Sequence, residues 1–165
     1  MNGTRAGAPS AVETILLAGG AALVVAAYTM PAVVFRGRGD AVHDLSIVEK
    51  LPVMAAVAVI GLIAALATRF VGSLRKWAEH ATVAAIILAL LPAIWGFVNA
   101  IDVWSGIRAT ILQMAGTRTV KIDPGLAYAV LVAGVTSLGF SLRVRTQEAA
   151  EAEPEPEPEL REQAA

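Results

Sequence analysis

Four stretches of this chain run for 18 residues or more without one charged side chain: Thr14 to Phe35 (22 residues), Leu51 to Thr68 (18), Ala81 to Ile101 (21) and Pro124 to Leu142 (19). A bilayer core about 30 Å thick is crossed by roughly 20 helical residues rising about 1.5 Å each. The runs are continuously apolar and lack the alternation of a membrane barrel strand, so helix is the state that satisfies their backbone groups in lipid. Arg69, with its long stem reaching to the interface, lets Phe70 and Val71 lengthen the second span.

The expected architecture is therefore an all-α, integral membrane four-helix bundle with a disordered acidic C-terminal tail. Its parts are a short segment 1–13, spans at about 14–35, 51–71, 78–101 and 124–142, outer segments 36–50 and 102–123, and a basic stop followed by a Glu/Pro-rich tail over 143–165. The first run resembles a signal peptide in its Arg5 and its small residues Val25-Ala26-Ala27, but its apolar stretch continues to Phe35, a spanning length. A retained helix is the expectation.

Composition supports this reading. Hydrophobic residues make up 56% of the chain and charged ones 16%, against about 25% charged in ordinary soluble domains. The net charge of -1 divides into +5 over residues 1–147 and -6 over residues 148–165. Cysteine is absent, which removes disulfides, thiolate metal sites and thiol nucleophiles.

Helix ends are signalled by short motifs. Ser10-Ala11-Val12-Glu13 fits a capping box, which makes Glu13 a cap rather than a proton carrier. Asp123-Pro124 reads as a capping carboxylate followed by a proline at the first helical position. Pro52 stands at the start of the second span, and Pro31 and Pro92 fall inside the first and third, where each is expected to bend its helix.

Orientation follows from the basic residues. Seven Lys and Arg fall on the side holding both termini and the middle loop, six on the other. Density near the spans tips the balance, because Arg69, Arg75 and Lys76 crowd a 12-residue middle loop, and Arg143 and Arg145 follow the last span. These five are read as topology anchors, placing both termini in the cytoplasm with the chain multi-pass in the plasma (inner) membrane. Ten arginines against three lysines, with abundant alanine, fit a GC-rich bacterial genome.

The outer segments carry polar groups. Asp40, His43 and Asp44 are read as hydrated loop polarity, because three such groups on a short loop lack a fourth ligand. Arg38-Gly39-Asp40 is read as a flexible exit from the first helix. Trp104, Ile107, Ile111 and Leu112 recur at helical spacing after Asp102, forming an amphipathic stripe that either packs on the bundle or docks a partner. Residues 117–122 read as an extended return to Asp123.

Inside the spans, Tyr28, Asn99 and Asp102 are the candidates for a polar path or for interhelical contact. Small residues, among them Ala18, Ala22, Gly20, Gly61 and Gly134, permit close helix approach. Trp77 and Trp104 frame the third span as an aromatic belt does, with Trp95 a turn or more inside.

Catalytic patterns are missing from the sequence. The only histidines, His43 and His80, fall at opposite ends of the spans, which excludes a two-histidine zinc or haem site within one subunit. Neither a Gly-rich phosphate loop nor a Gly-x-Ser-x-Gly elbow occurs. No catalytic residue, cofactor or metal ligand is assigned, and nucleic acid is not an expected partner, since the cluster at Arg69, Arg75 and Lys76 suits topology or anionic lipid.

The tail from Glu151 to Glu159 alternates Glu and Pro, a composition that favours extended polyproline II and self-repulsion. It resembles the Glu-Pro spacers of energy-coupling proteins in bacterial envelopes, a likeness of composition that carries no family assignment. The layout as a whole resembles that of tetraspan proteins, which host many functions. The sequence thus points to a non-enzymatic accessory or scaffold subunit of a larger membrane complex, bound by membrane lipids and by other membrane subunits or further copies of itself. A small oligomeric channel or transporter is the alternative.

Overall fold

The computed structural model describes residues 10–37, 40–98 and 121–151. Four long helices dominate: α1 (Ala11–Thr29), α3 (Pro52–Phe70), α4 (Ala78–Val98) and α5 (Leu126–Glu151). A one-turn helix, α2 (Ile47–Lys50), precedes α3, and a 3-10 turn, Gly72–Trp77, joins α3 to α4. Each long helix contains a stretch long and apolar enough to cross a membrane.

The chain is not all-α. Strands β1 (Pro31–Gly37), β2 (Asp40–Ser46) and β3 (Lys121–Pro124) form an antiparallel sheet in the order β2-β1-β3. Residues 31–35, expected as the end of the first span, belong to this sheet instead. The physical reason lies in Pro31, which lacks an N–H and disfavours helical geometry at the preceding residue. Met30 accordingly turns extended, and the β-branched Val33 and Val34 with Phe35 pair as a strand. Pro31 therefore ends α1 rather than bending it, and α1 still reaches 19 residues.

Two further boundaries move. Pro124 closes β3 rather than opening the last helix, which begins at Leu126 and continues past Leu142 to Glu151. Asp123 pairs through Oδ2 with Arg36 Nε at 3.0 Å, diagonally across β1 and β3, instead of serving as the expected helix cap. At the other proline the expectation holds, since Pro52 occupies the first turn of α3. Pro92 lies inside α4.

The core is built of small side chains. Ala21, Ala27, Ala58, Ala65, Ala85, Ala89 and Ala127 are buried between the helices together with Leu17, Val24, Leu62, Leu131 and Leu138. Large apolar residues face outward instead: Ile15, Val53, Ile60, Ile63, Phe70 and Val132 are each at least 60% exposed. Helices that associate in an apolar solvent bring their backbones close through small residues and turn bulky ones to the surroundings.

The four helices form two tight pairs. α1 packs chiefly on α5, and α3 on α4, with fewer contacts between the pairs. The α1–α5 seam depends on Gly20 and Gly134, where a Cβ on either would fall about 3 Å from the other's carbonyl oxygen. Ser137 Oγ donates across this seam to the Leu16 carbonyl at 2.8 Å.

Candidate functional site

The most unusual chemistry lies at the end of the bundle where α1 and α4 begin and α3 and α5 approach their ends. α1 places Glu13 in its first turn and α3 places Arg69 in its last, and the antiparallel path of the two helices brings them to one level. Arg69 Nη1 pairs with Glu13 Oε1, and the side chains are 2% and 4% exposed. Arg69 Nη2 donates to Thr82 Oγ1 on α4 at 3.0 Å, and the Thr82 hydroxyl donates in turn to the Ala78 carbonyl at 2.8 Å.

α5 joins from the fourth side. Arg145 Nη1 lies 4.0 Å from Glu13 Oε1, and Arg145 Nη2 donates to the Arg75 carbonyl at 3.0 Å. One carboxylate, two guanidinium groups and one hydroxyl thus link all four long helices. Arg69 Nε is buried without a hydrogen-bond partner among the described residues. A lone ion inside the bundle carries a large desolvation cost, and the pairing of Glu13 with Arg69 is what makes either tolerable there.

This arrangement corrects two readings. Ser10 Oγ accepts from the Glu13 N–H at 3.2 Å as a cap should, but the Glu13 carboxylate is committed to Arg69 rather than to Ser10. A complete capping box forms elsewhere, between Ser46 and Glu49 ahead of α2. Arg69, expected to extend to the membrane interface, is buried among the helices. Arg75 is half-buried, Lys76 and Arg143 are exposed, and Arg145 is half-buried beside Glu13, so the other four expected anchors remain at the rim of this end.

The signal for the pair was present in the sequence. Glu13 immediately precedes the first apolar run and Arg69 follows the second, and two consecutive antiparallel helices put those positions on the same side. Neither residue's immediate neighbours carry that information.

Comparison with family models, curated proteins and solved structures adds a negative finding. None of them matches this chain. The site must accordingly be read from its own geometry.

Tyr28 is brought into the bundle at the opposite end of α1. It is 2% exposed, and its hydroxyl donates to the Ala89 carbonyl on α4 at 2.8 Å, so it serves as an interhelical contact. Asn99 and Asp102, the other members of the suggested polar path, lie outside the described residues, as do Trp104, Ile107, Ile111 and Leu112 of the suggested docking stripe and the Glu-Pro tail. Trp77 stands half-exposed ahead of α4, edge-on to His80 at 5.9 Å and under Lys76 Nζ at 5.8 Å. The side chains of Asp40 and His43 lie outside the described set, and no group of three potential metal ligands occurs among the described residues.

Proposed function

We propose that this chain is a multi-pass protein of the plasma (inner) membrane, with both termini cytoplasmic, that acts as a non-enzymatic accessory or scaffold subunit of a larger membrane complex. One observation carries the reading: the ionised groups buried at the charged end are committed to one another and hold four helices in register. Groups used in this way position a framework and leave the substrate-handling role to another subunit. The inverted distribution of side chains, with alanines inside and large aliphatics outside, supports a lipid surrounding.

The test is purification of the tagged full chain from native membranes in two mild detergents, with partners quantified by mass spectrometry. A subunit brings the same companions at a constant ratio in both. A monodisperse chain that arrives alone overturns the accessory reading. Orientation is tested separately with Ser73→Cys, on the exposed 3-10 turn. Labelling of that position by an impermeant reagent in intact cells reverses the assignment.

A further inference from the structure

The connection from α3 to α4 sorts its side chains more sharply than a plain linker requires. Gly72–Trp77 is a 3-10 turn, in which residues three apart stand one above another. The Leu74 N–H donates to the Val71 carbonyl at 2.9 Å and the Ala78 N–H donates to that of Arg75, so the three-residue repeat runs from Val71 to Ala78. It divides the turn into three rows.

One row faces the bundle: Ala78 is buried, Arg75 is half-buried, and the Arg75 carbonyl also accepts from Arg145 Nη2 on α5 at 3.0 Å. The second row, Ser73, Lys76 and Glu79, is polar and exposed. The third, Val71, Leu74 and Trp77, is apolar, yet its members are 44%, 41% and 54% exposed. Such a row beside a polar one marks a segment lying in a membrane interface, with the polar side in water and the apolar side among acyl chains. Trp77, with Lys76 Nζ 5.8 Å from its ring centre, is a pairing suited to headgroup level. The polar row carries both signs of charge, so hydration rather than headgroup charge selects its side.

Helix geometry sets the depth and the direction. The 19 residues of α3 rise about 28 Å, close to the thickness of a bilayer core of about 30 Å. The exposed Ile60, Ile63 and Phe70 lead along α3 to Val71, so the apolar row continues the outward surface of the span. Six residues of 3-10 turn extend about 12 Å at about 2 Å each, close to the roughly 8–10 Å that separates the axes of two packed helices such as α3 and α4. The turn therefore runs along the membrane surface and does not rise from it.

We propose that the turn 72–77 is an interfacial anchor, with Val71, Leu74 and Trp77 seated among the upper acyl carbons of one phospholipid leaflet and Ser73, Lys76 and Glu79 in water. The proposal rests on the helices crossing a bilayer, and is independent of whether the chain serves a larger complex.

The test uses the full chain in phosphatidylcholine vesicles, with Trp95→Phe and Trp104→Phe leaving Trp77 as the fluorophore. Bromine near the headgroup end of the acyl chain is expected to quench Trp77 more than bromine near the methyl end. Leu74→Glu is expected to lower that quenching at least about twofold by drawing the row into water, while Ser73→Glu leaves it unchanged. Because the chain has no cysteine, Ser73→Cys and Leu74→Cys can be compared directly with a charged maleimide equilibrated on both sides of the bilayer. Ser73→Cys is expected to react at least about tenfold faster, the scale set by moving a leucine-sized site out of water. Equal rates overturn the proposal, as does stronger quenching from the methyl end. Slow reaction at Leu74→Cys without quenching of Trp77 overturns it in favour of a protein neighbour on the ridge. A chain that fails to float with the vesicles overturns the membrane reading as well, whereas a chain that floats with Trp77 unquenched overturns the anchor alone.

Discussion

At one end of the bundle four helices converge on Glu13, Arg69, Thr82 and Arg145, whereas at the other the ends of α1 and α5 run into a three-stranded sheet. The charged end concentrates its cohesion in a few side chains that are buried and mutually dependent. The sheet end distributes it over backbone hydrogen bonds that many side chains would support, and its ion pair among the described residues, Arg36–Asp123, is about half-exposed. Equal numbers of substitutions at the two ends should therefore have unequal consequences. Loss of one buried partner strands the other charge, and loss of one surface partner leaves a charge that water can solvate.

The largest expected effect breaks the charged end. Arg69→Ala or Glu13→Ala should destabilise by about 3–5 kcal/mol, because each leaves its partner ionised and buried. Denaturant unfolding in detergent micelles measures this. Glu13→Leu combined with Arg69→Met should recover most of the loss, and a double variant no more stable than the singles would show that the pair does more than cancel its own burial cost.

Next come the close backbone approaches. A Cβ at Gly125 would fall 1.9 Å from the Pro31 carbonyl oxygen, a contact that backbone has to shift to relieve. Gly134→Ala meets the Gly20 carbonyl oxygen and Val24 at about 3.0 Å. Both should cost about 1–3 kcal/mol, with Gly125→Ala the worse of the two. Gly139, with nothing within 4 Å of a built Cβ, is the control: Gly139→Ala should be neutral or should stabilise by up to about 1 kcal/mol. Equal melting temperatures for Gly134→Ala and Gly139→Ala would remove Gly134 from the α1–α5 seam.

Smaller effects separate a buried contact from a surface one. Tyr28→Phe removes the bond to the Ala89 carbonyl and should cost about 1 kcal/mol, read as a modest drop in thermal midpoint. Arg36→Ala should change stability by no more than about 1 kcal/mol, with the difference vanishing in high salt. A salt-insensitive loss larger than that of Tyr28→Phe would invert the contrast between the two ends.

How much was legible beforehand differs from element to element. The helix count, the start of α3 at Pro52 and the position of Pro92 follow from run length and proline chemistry, which are local. The sheet was hidden because Pro31 to Phe35 is as apolar as the helix before it, and hydropathy alone does not separate a buried strand from the end of a span. Proline marked the boundary, but its reading as a kink was equally local. The role of Asp123 was hidden for the same reason, since a helix cap and a cross-strand ion pair ask for the same residue beside the same proline.

By itself, the sequence determined that four helices long and apolar enough to cross a membrane would form, because uninterrupted apolar length is a property of the chain taken one run at a time. Tertiary structure alone decided that Glu13 and Arg69 face each other inside the bundle, that Gly20 and Gly134 rather than Gly19 and Gly139 carry the close approach, and that Phe35 closes a sheet. Each depends on the rotation of one helix or the register of one strand relative to another. Rotation and register are set by packing between segments far apart in sequence, which hydropathy and local motifs do not record.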